Sequence, residues 1–261
     1  MANGYHTVST LMQTISLYDE ITITLFEGTG IRIECEGDGS IPTDSGNLAY
    51  QAAAKFLTRA GISSGLTVSL KKRIPVAAGL AGGSADAAAV LRACNRMFDN
   101  PFTKKDLLQF ASELGSDVPF CLVGGLAQCE GRGEILTELS SPEPFSVLIV
   151  NGGEKVSTAE AYHALDTAQR SFHSVFWGDI YRALQARNFP VMESLMQNDF
   201  SRVVLPCCPH ASRALEELRA LGAFARMSGS GSAVFGVFSD EAAARDAMGR
   251  LSMPSIYADT L

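Results

Sequence analysis

The chain has 261 residues, 46% hydrophobic and 19% charged, which excludes disorder and fibrous repeats and leaves room for one large or two modest folded domains. A formal net charge of −7 excludes a general nucleic-acid binder, because neutralising a phosphate backbone takes clustered Lys and Arg. The cysteines Cys35, Cys94, Cys121, Cys129, Cys207 and Cys208 form no Cys-x-x-Cys pair and the histidines show no metal-ligand spacing, so buried free thiols are expected rather than a metal centre.

Residues 21–36 alternate apolar and polar on both sides of Gly28-Thr29-Gly30, which predicts a β-hairpin. An Ala-rich stretch then runs from Asn47, placed as an N-cap, to Gly61, placed as a C-cap, and predicts a helix. Leu66, Val68 and Leu70 mark a strand over 66–73, and a glycine-rich turn over 75–83 follows. Ser84 precedes helix formers that end near Met97, while Thr103 and Asp106 have the spacing of a capping box for a helix stopping at Gly115. Short strands are expected at 126–130 and 134–138, and the Ser-Ser-Pro-Glu-Pro stretch at 140–144 predicts a domain boundary. That boundary gives domains of 1–143 and 144–261.

The second half predicts a buried strand at 145–150 and helices near 157–166, 179–187 and 190–197. Helix (210–221), strand (223–228), strand (233–238), helix (240–251) and strand (255–259) follow, an αββαβ order that suits an α+β layer. No basic leader opens the chain and no apolar run reaches membrane-spanning length, so a cytoplasmic protein without membrane contact is expected.

Three segments carry chemistry. Pro75-Val-Ala-Ala-Gly79-Leu-Ala-Gly82-Gly83-Ser84-Ala-Asp86 is a strand-to-helix loop of small residues. Such a loop lets backbone N–H groups and a helix N-terminus converge on an anion, and it also fits a tight turn with close helix packing. It ends in no Gly-Lys-Ser/Thr, so it is not a Walker loop. Met227-Ser228-Gly229-Ser230-Gly231 is a second small-residue turn beside an apolar strand, and two such loops suit a polyphosphate better than one. Asp117 follows a helix end and precedes what reads as an apolar strand; it is either a general base for a substrate hydroxyl or a turn aspartate.

The 75–86 loop, Leu114-Gly-Ser-Asp-Val-Pro-Phe-Cys-Leu122 and Met227-Ser-Gly-Ser-Gly231 resemble the signatures of the GHMP kinase family, in the family's order. Asn3-Gly4-Tyr5-His6 and Glu130-Gly131-Arg132-Gly133-Glu134 resemble the branch that phosphorylates a cytidine-diphosphate sugar alcohol in isoprenoid synthesis. The resemblance implies an α+β, two-domain fold: a ribosomal-protein-S5-like N-terminal domain and a ferredoxin-like C-terminal domain. It also implies ATP and Mg²⁺ as cofactors, and a monomer or weak homodimer.

By the same resemblance Asp117 is the catalytic base, and Pro75, Val76, Ala77, Ala78, Gly79, Leu80, Ala81, Gly82, Gly83, Ser84 and Ala85 form the ATP phosphate loop. Asn47 and Lys72 fall where the family contacts the nucleotide, although Lys72 also fits a solvated strand residue. Tyr5, His6 and Tyr162 would hold the cytosine, and Gly229 and Ser230 would contact the substrate. In that family a first strand, with a lysine that orients the aspartate, precedes the Gly-Tyr-His segment; no Lys or Arg precedes Arg32 here, so that strand is expected to be missing from this sequence. Alternatives are a GHMP kinase acting on mevalonate or homoserine, and a nucleotide-binding pseudo-kinase.

Overall fold

The computed structural model describes residues 6–36, 40–168 and 176–261. They form two compact units: the described parts of Met1–Thr14, Tyr18–Ile74 and Ala81–Ser140 in one, and of Ile15–Leu17, Pro75–Leu80 and Ser141–Leu261 in the other.

In chain order the first unit carries β1 (Val8–Gln13), β2 (Glu20–Phe26), β3 (Gly30–Glu36), α1 (Leu48–Ala60), β4 (Gly65–Lys71), α2 (Gly82–Met97), α3 (Lys104–Leu114), α4 (Val118–Val123), β5 (Leu126–Gly131) and β6 (Ile135–Leu139). Local chemistry sets the helix ends. Asn47 Oδ1 accepts from the Ala49 N–H at 2.8 Å and Gly61 closes α1 at φ +65°. Thr103 and Asp106 cap α3 reciprocally.

The expected hairpin at 21–36 is not formed. β4 lies between its two arms, antiparallel to β2 and parallel to β3, in the order β2-β4-β3. Leu66 and Val68 of β4 are fully buried, and the most apolar strand takes the centre while the strands of alternating polarity take the edges. Phe26 and Gly30 both register with Gly65, and a Cβ on Gly65 would lie 2.5 Å from the Phe26 ring. The absent side chain lets the connection pass over the end of β4. The second sheet, β1-β5-β6, is antiparallel throughout, and β1 is an element that the alternation pattern did not mark. A further correction concerns the segment after Asp117, which is the helix α4 and not a strand; Pro119 at its start is suited to a first helical turn.

The second unit carries β7 (Ser146–Val150), α5 (Thr158–Thr167), α6 (Trp177–Gln185), α7 (Phe189–Leu195), α8 (Ser201–Val204), a 3₁₀ turn (Leu205–Cys207), α9 (Pro209–Ala220), β8 (Phe224–Met227), β9 (Val234–Phe238), α10 (Glu241–Arg250) and β10 (Ser255–Asp259). Its sheet runs β10-β7-β9-β8, all antiparallel. β7 is apolar without alternation because both faces are covered. Leu148 and Val150 pack with Leu215, Leu218 and Ala244 of α9 and α10, whereas Val147 and Ile149 pack with Ala183, Met192 and Ala78.

Candidate active site

The 75–85 loop alternates its backbone hand. Ala77, Gly79 and Ala81 have φ of +53°, +74° and +54°, while the residues between them stay on the ordinary side. Alternation of this kind turns successive N–H groups toward one side and makes a concavity suited to an anion. Two alanines in the left-handed region are strained, and strain of this kind gathers at ligand sites. Ala81 is the residue ahead of α2, and the first helical bond runs from the Ala85 N–H to the Ala81 carbonyl at 2.9 Å. The N–H groups of Gly82, Gly83 and Ser84 thus lead the helix, with the positive end of its dipole behind them. A Cβ on Gly82 would press on Ile74 at 3.0 Å, so the start of α2 packs closely on the segment that follows β4.

The second turn meets the first. Ser228 Oγ donates to the Gly79 carbonyl at 2.8 Å, and the Ala233 N–H donates to the Ala78 carbonyl at 3.1 Å. Within the turn, the Gly231 N–H reaches the Ser228 carbonyl at 2.9 Å and Gly229 has φ +51°. Ser230 is buried, and its hydroxyl shares a hydrogen bond with Thr158 Oγ1 at 3.0 Å.

Asp117 occupies the N-cap position of α4 in helical conformation, with no capping hydrogen bond from its side chain. The carboxylate is thereby left for other work. Gly133, in the turn between β5 and β6, lies beside it: a Cβ there would be 3.7 Å from Asp117 Oδ1. Burial pushes the Asp117 carboxyl above the usual aspartate range, and no cation pairs with it among the described residues. α4 packs on α2, so Cys121 feels both Asp117 and Asp86; burial first, and then Asp117, push its thiol up to about 12.

Lys72 is not a solvated strand residue. Its ammonium is buried between Asp19, with which it makes a short ion pair, and Asp86 Oδ2 at 2.6 Å, the three side chains being 6%, 2% and 6% exposed. Asp19 also accepts from the N–H groups of Arg73 and Ile74, at 2.5 and 2.9 Å. Burial pulls the Lys72 pKa down, but the hydrogen bonds it donates to Asp19 and Asp86, with the attraction of their charges, outweigh it and the net shift is upward. Asp86 is pushed up to about 6, first by burial and against the pull of Lys72. The ammonium lies 3.6 Å from where a Gly82 Cβ would be, under the first turn of α2. Asp19 went unread in the sequence and Asp86 was read only as the end of the 75–86 loop, because nothing there marks two distant acids as partners of one lysine.

Asn47 is buried and committed to capping α1 and to the Pro42 carbonyl at 2.8 Å. Its place is close to the loop, since a Cβ on Gly83 would lie 3.8 Å from Leu48. Tyr162, on α5, packs edge-on against Phe200 at 4.9 Å between ring centres. His6 is half-buried just ahead of β1, and Tyr5 lies outside the described residues. Among the described residues no group of three or more His, Cys, Asp or Glu could hold a metal, and no helix is long and apolar enough to cross a membrane.

Residues 47–125 match the GHMP kinases N terminal domain and residues 180–252 match the GHMP kinases C terminal domain. The chain belongs to the GHMP kinase family, and its two-domain α+β fold is that family's. Within it, the chain is similar to 4-diphosphocytidyl-2-C-methyl-D-erythritol kinase of Desulfitobacterium hafniense, 42% identical over 243 residues that span 92% of this chain and 81% of that protein. The kinase of the same name from Caldicellulosiruptor saccharolyticus is 39% identical over 254 residues, 96% of this chain and 86% of the relative. A crystal structure of 4-(cytidine 5'-diphospho)-2C-methyl-D-erythritol kinase superposes with a TM-score of 0.82 at 32% identity, covering 100% of this chain and 92% of the other. Homoserine kinase from Cytophaga hutchinsonii, at a TM-score of 0.78 and 23% identity over 96% of this chain and 88% of the other, shares the fold.

Proposed function

We propose that this chain transfers the γ-phosphoryl group of ATP to the 2-hydroxyl of 4-diphosphocytidyl-2-C-methyl-D-erythritol, in the methylerythritol phosphate route to isoprenoids. The observation that carries the chemistry is the Ser228–Gly79 hydrogen bond of 2.8 Å, which joins two turns made almost wholly of small residues. The anion of ATP would sit on the N–H groups of Gly82, Gly83 and Ser84, with the charge of Lys72 beneath them. The Ser84 hydroxyl would offer one oxygen to a Mg²⁺ that arrives with the nucleotide, an ion that needs few protein ligands. Asp117, which burial makes more basic than an exposed carboxylate, would take the hydroxyl proton. Tyr162 would face the cytosine, and Gly229 and Ser230 the substrate's diphosphate. We place this activity in the cytoplasm.

The test is direct. Purified chain, ATP, Mg²⁺ and the cytidylyl substrate should yield ADP and a phosphomonoester visible by ³¹P NMR. Turnover of homoserine or mevalonate instead would move the chain to another branch of the family. ATP binding without turnover would favour the nucleotide-binding reading.

A further inference from the structure

We infer that Asn198 is the positioning residue of the substrate side, setting the diphosphate turn and the aromatic wall through one amide; this rests on the function proposed above and deepens it. Asn198 lies in the short stretch between α7 and α8 and is half-buried. Its Nδ2 donates to the Met227 carbonyl at 2.9 Å and to the Gly229 carbonyl at 2.8 Å. Both amide hydrogens are thereby spent on the backbone of the turn. Its Oδ1 accepts from the Phe200 N–H at 2.9 Å.

The two ends of the amide reach different parts of the site. On the donor side is the turn that holds Gly229 and Ser230. On the acceptor side is Phe200, whose ring stands edge-on to Tyr162 at 4.9 Å. The circuit closes through α5, because Thr158 on the same helix as Tyr162 shares a hydrogen bond with Ser230 at 3.0 Å. A turn of glycines and serines has little rigidity of its own, and a fixed amide supplies what its side chains do not. Base and diphosphate are parts of one molecule, so a residue that fixes the spacing of their two supports acts on the affinity for that molecule. Under the proposed function ATP is held by other residues, Gly82, Gly83 and Ser84, so its affinity is not expected to depend on Asn198.

Asn198→Asp separates this role from simple packing. The shape is kept and one oxygen still accepts from Phe200, but the other faces two carbonyl oxygens in place of donating to them. The KM for the cytidylyl substrate is expected to rise about tenfold or more, and the KM for ATP by less than about twofold, the loss of two hydrogen bonds being of that order. Amide hydrogen exchange should quicken at residues 226–234 and stay unchanged in β7 and α9. Should Asn198→Asp not fold, Asn198→Ala carries the same measurements. Unchanged KM for the substrate overturns the inference. So does an equal rise in both KM values with faster exchange throughout the second unit, which would mark Asn198 as a fold-holding residue. If the wild type shows no turnover, the proposed function falls by itself; calorimetric binding of cytidine diphosphate and the exchange pattern then decide on Asn198, a variant that binds as the wild type does sinking the inference.

Discussion

The hydroxyl of Ser228 hydrogen-bonds the carbonyl of Gly79 at 2.8 Å, across 149 residues of sequence. Gly79 has φ +74°, and a Cβ built on it would stand 2.2 Å from the Ser228 carbonyl oxygen and 3.0 Å from the Gly231 nitrogen. Even alanine therefore forces the turns apart. Gly79→Ala is expected to lower stability by about 1–3 kcal/mol or more and to weaken ATP binding at least tenfold, as nucleotide titration would read. Ser228→Ala, which removes one hydrogen bond and adds no clash, should cost about 1 kcal/mol. A Gly79→Ala protein with wild-type ATP affinity would remove the loop from the nucleotide site.

Lys72 is bracketed by two buried acids, and removing it would leave both carboxylates facing each other without a counter-charge. Lys72→Met is expected to cost about 3–5 kcal/mol in urea unfolding at pH 8, the usual result of breaking a buried ion pair from one side. Burial pushes Asp86 up to about 6, above its unfolded value, so its share of stability is present below about pH 4 and is lost as pH rises through 6. The cost of Lys72→Met should therefore shrink at pH 5, where Asp86 takes a proton. An equal cost at pH 5 and 8 would mean that Asp86 does not titrate there.

How much of this was legible in the sequence follows from the range of each interaction. The Asn47 and Gly61 caps of α1 and the Thr103–Asp106 box of α3 are local, and their signals are written within a few residues. The αββαβ order of the second half was readable for the same reason, but the strand order of its antiparallel β10-β7-β9-β8 sheet was not. The partner of a strand is not local. Residues 21–36 carry the pattern of a hairpin, and only the burial of Leu66 and Val68 reveals that β4 separates its arms. The two glycine loops were visible because small residues are rare in such runs, whereas Asp19, Asp86 and Asn198 are single polar residues whose meaning lies in partners far along the chain.

Gly133 has φ +118°, and a Cβ on it would stand 3.6 Å from Ser116 and 3.7 Å from Asp117. A branched side chain here would cover the Asp117 carboxylate as well as strain the turn. Gly133→Val is expected to lower kcat at least tenfold while ATP binding is kept, with about 1–3 kcal/mol lost from the strain. Unaltered kcat in a folded Gly133→Val protein would show that substrate approaches Asp117 from elsewhere.

Asp117 joins function and stability with opposite signs. Its pKa is raised by burial and no cation offsets the burial among the described residues, so the ionised form, the one a base needs, is the form the fold disfavours. The unfolded chain ionises near 3.8; the favourable contribution of the protonated group is full below that value and fades as pH climbs through the higher folded value. Asp117→Asn removes the ionisation. The variant should melt higher than the wild type at pH 7–8, and the gap should narrow toward pH 4. Its turnover should fall by about 10²–10⁴-fold, the range for loss of a general base, while its ATP affinity stays within about twofold on calorimetric titration. Wild-type turnover in Asp117→Asn would assign the base to another residue. A melting temperature that drops at pH 8 would mean instead that the carboxylate is held by favourable contacts, and that its basicity has another cause.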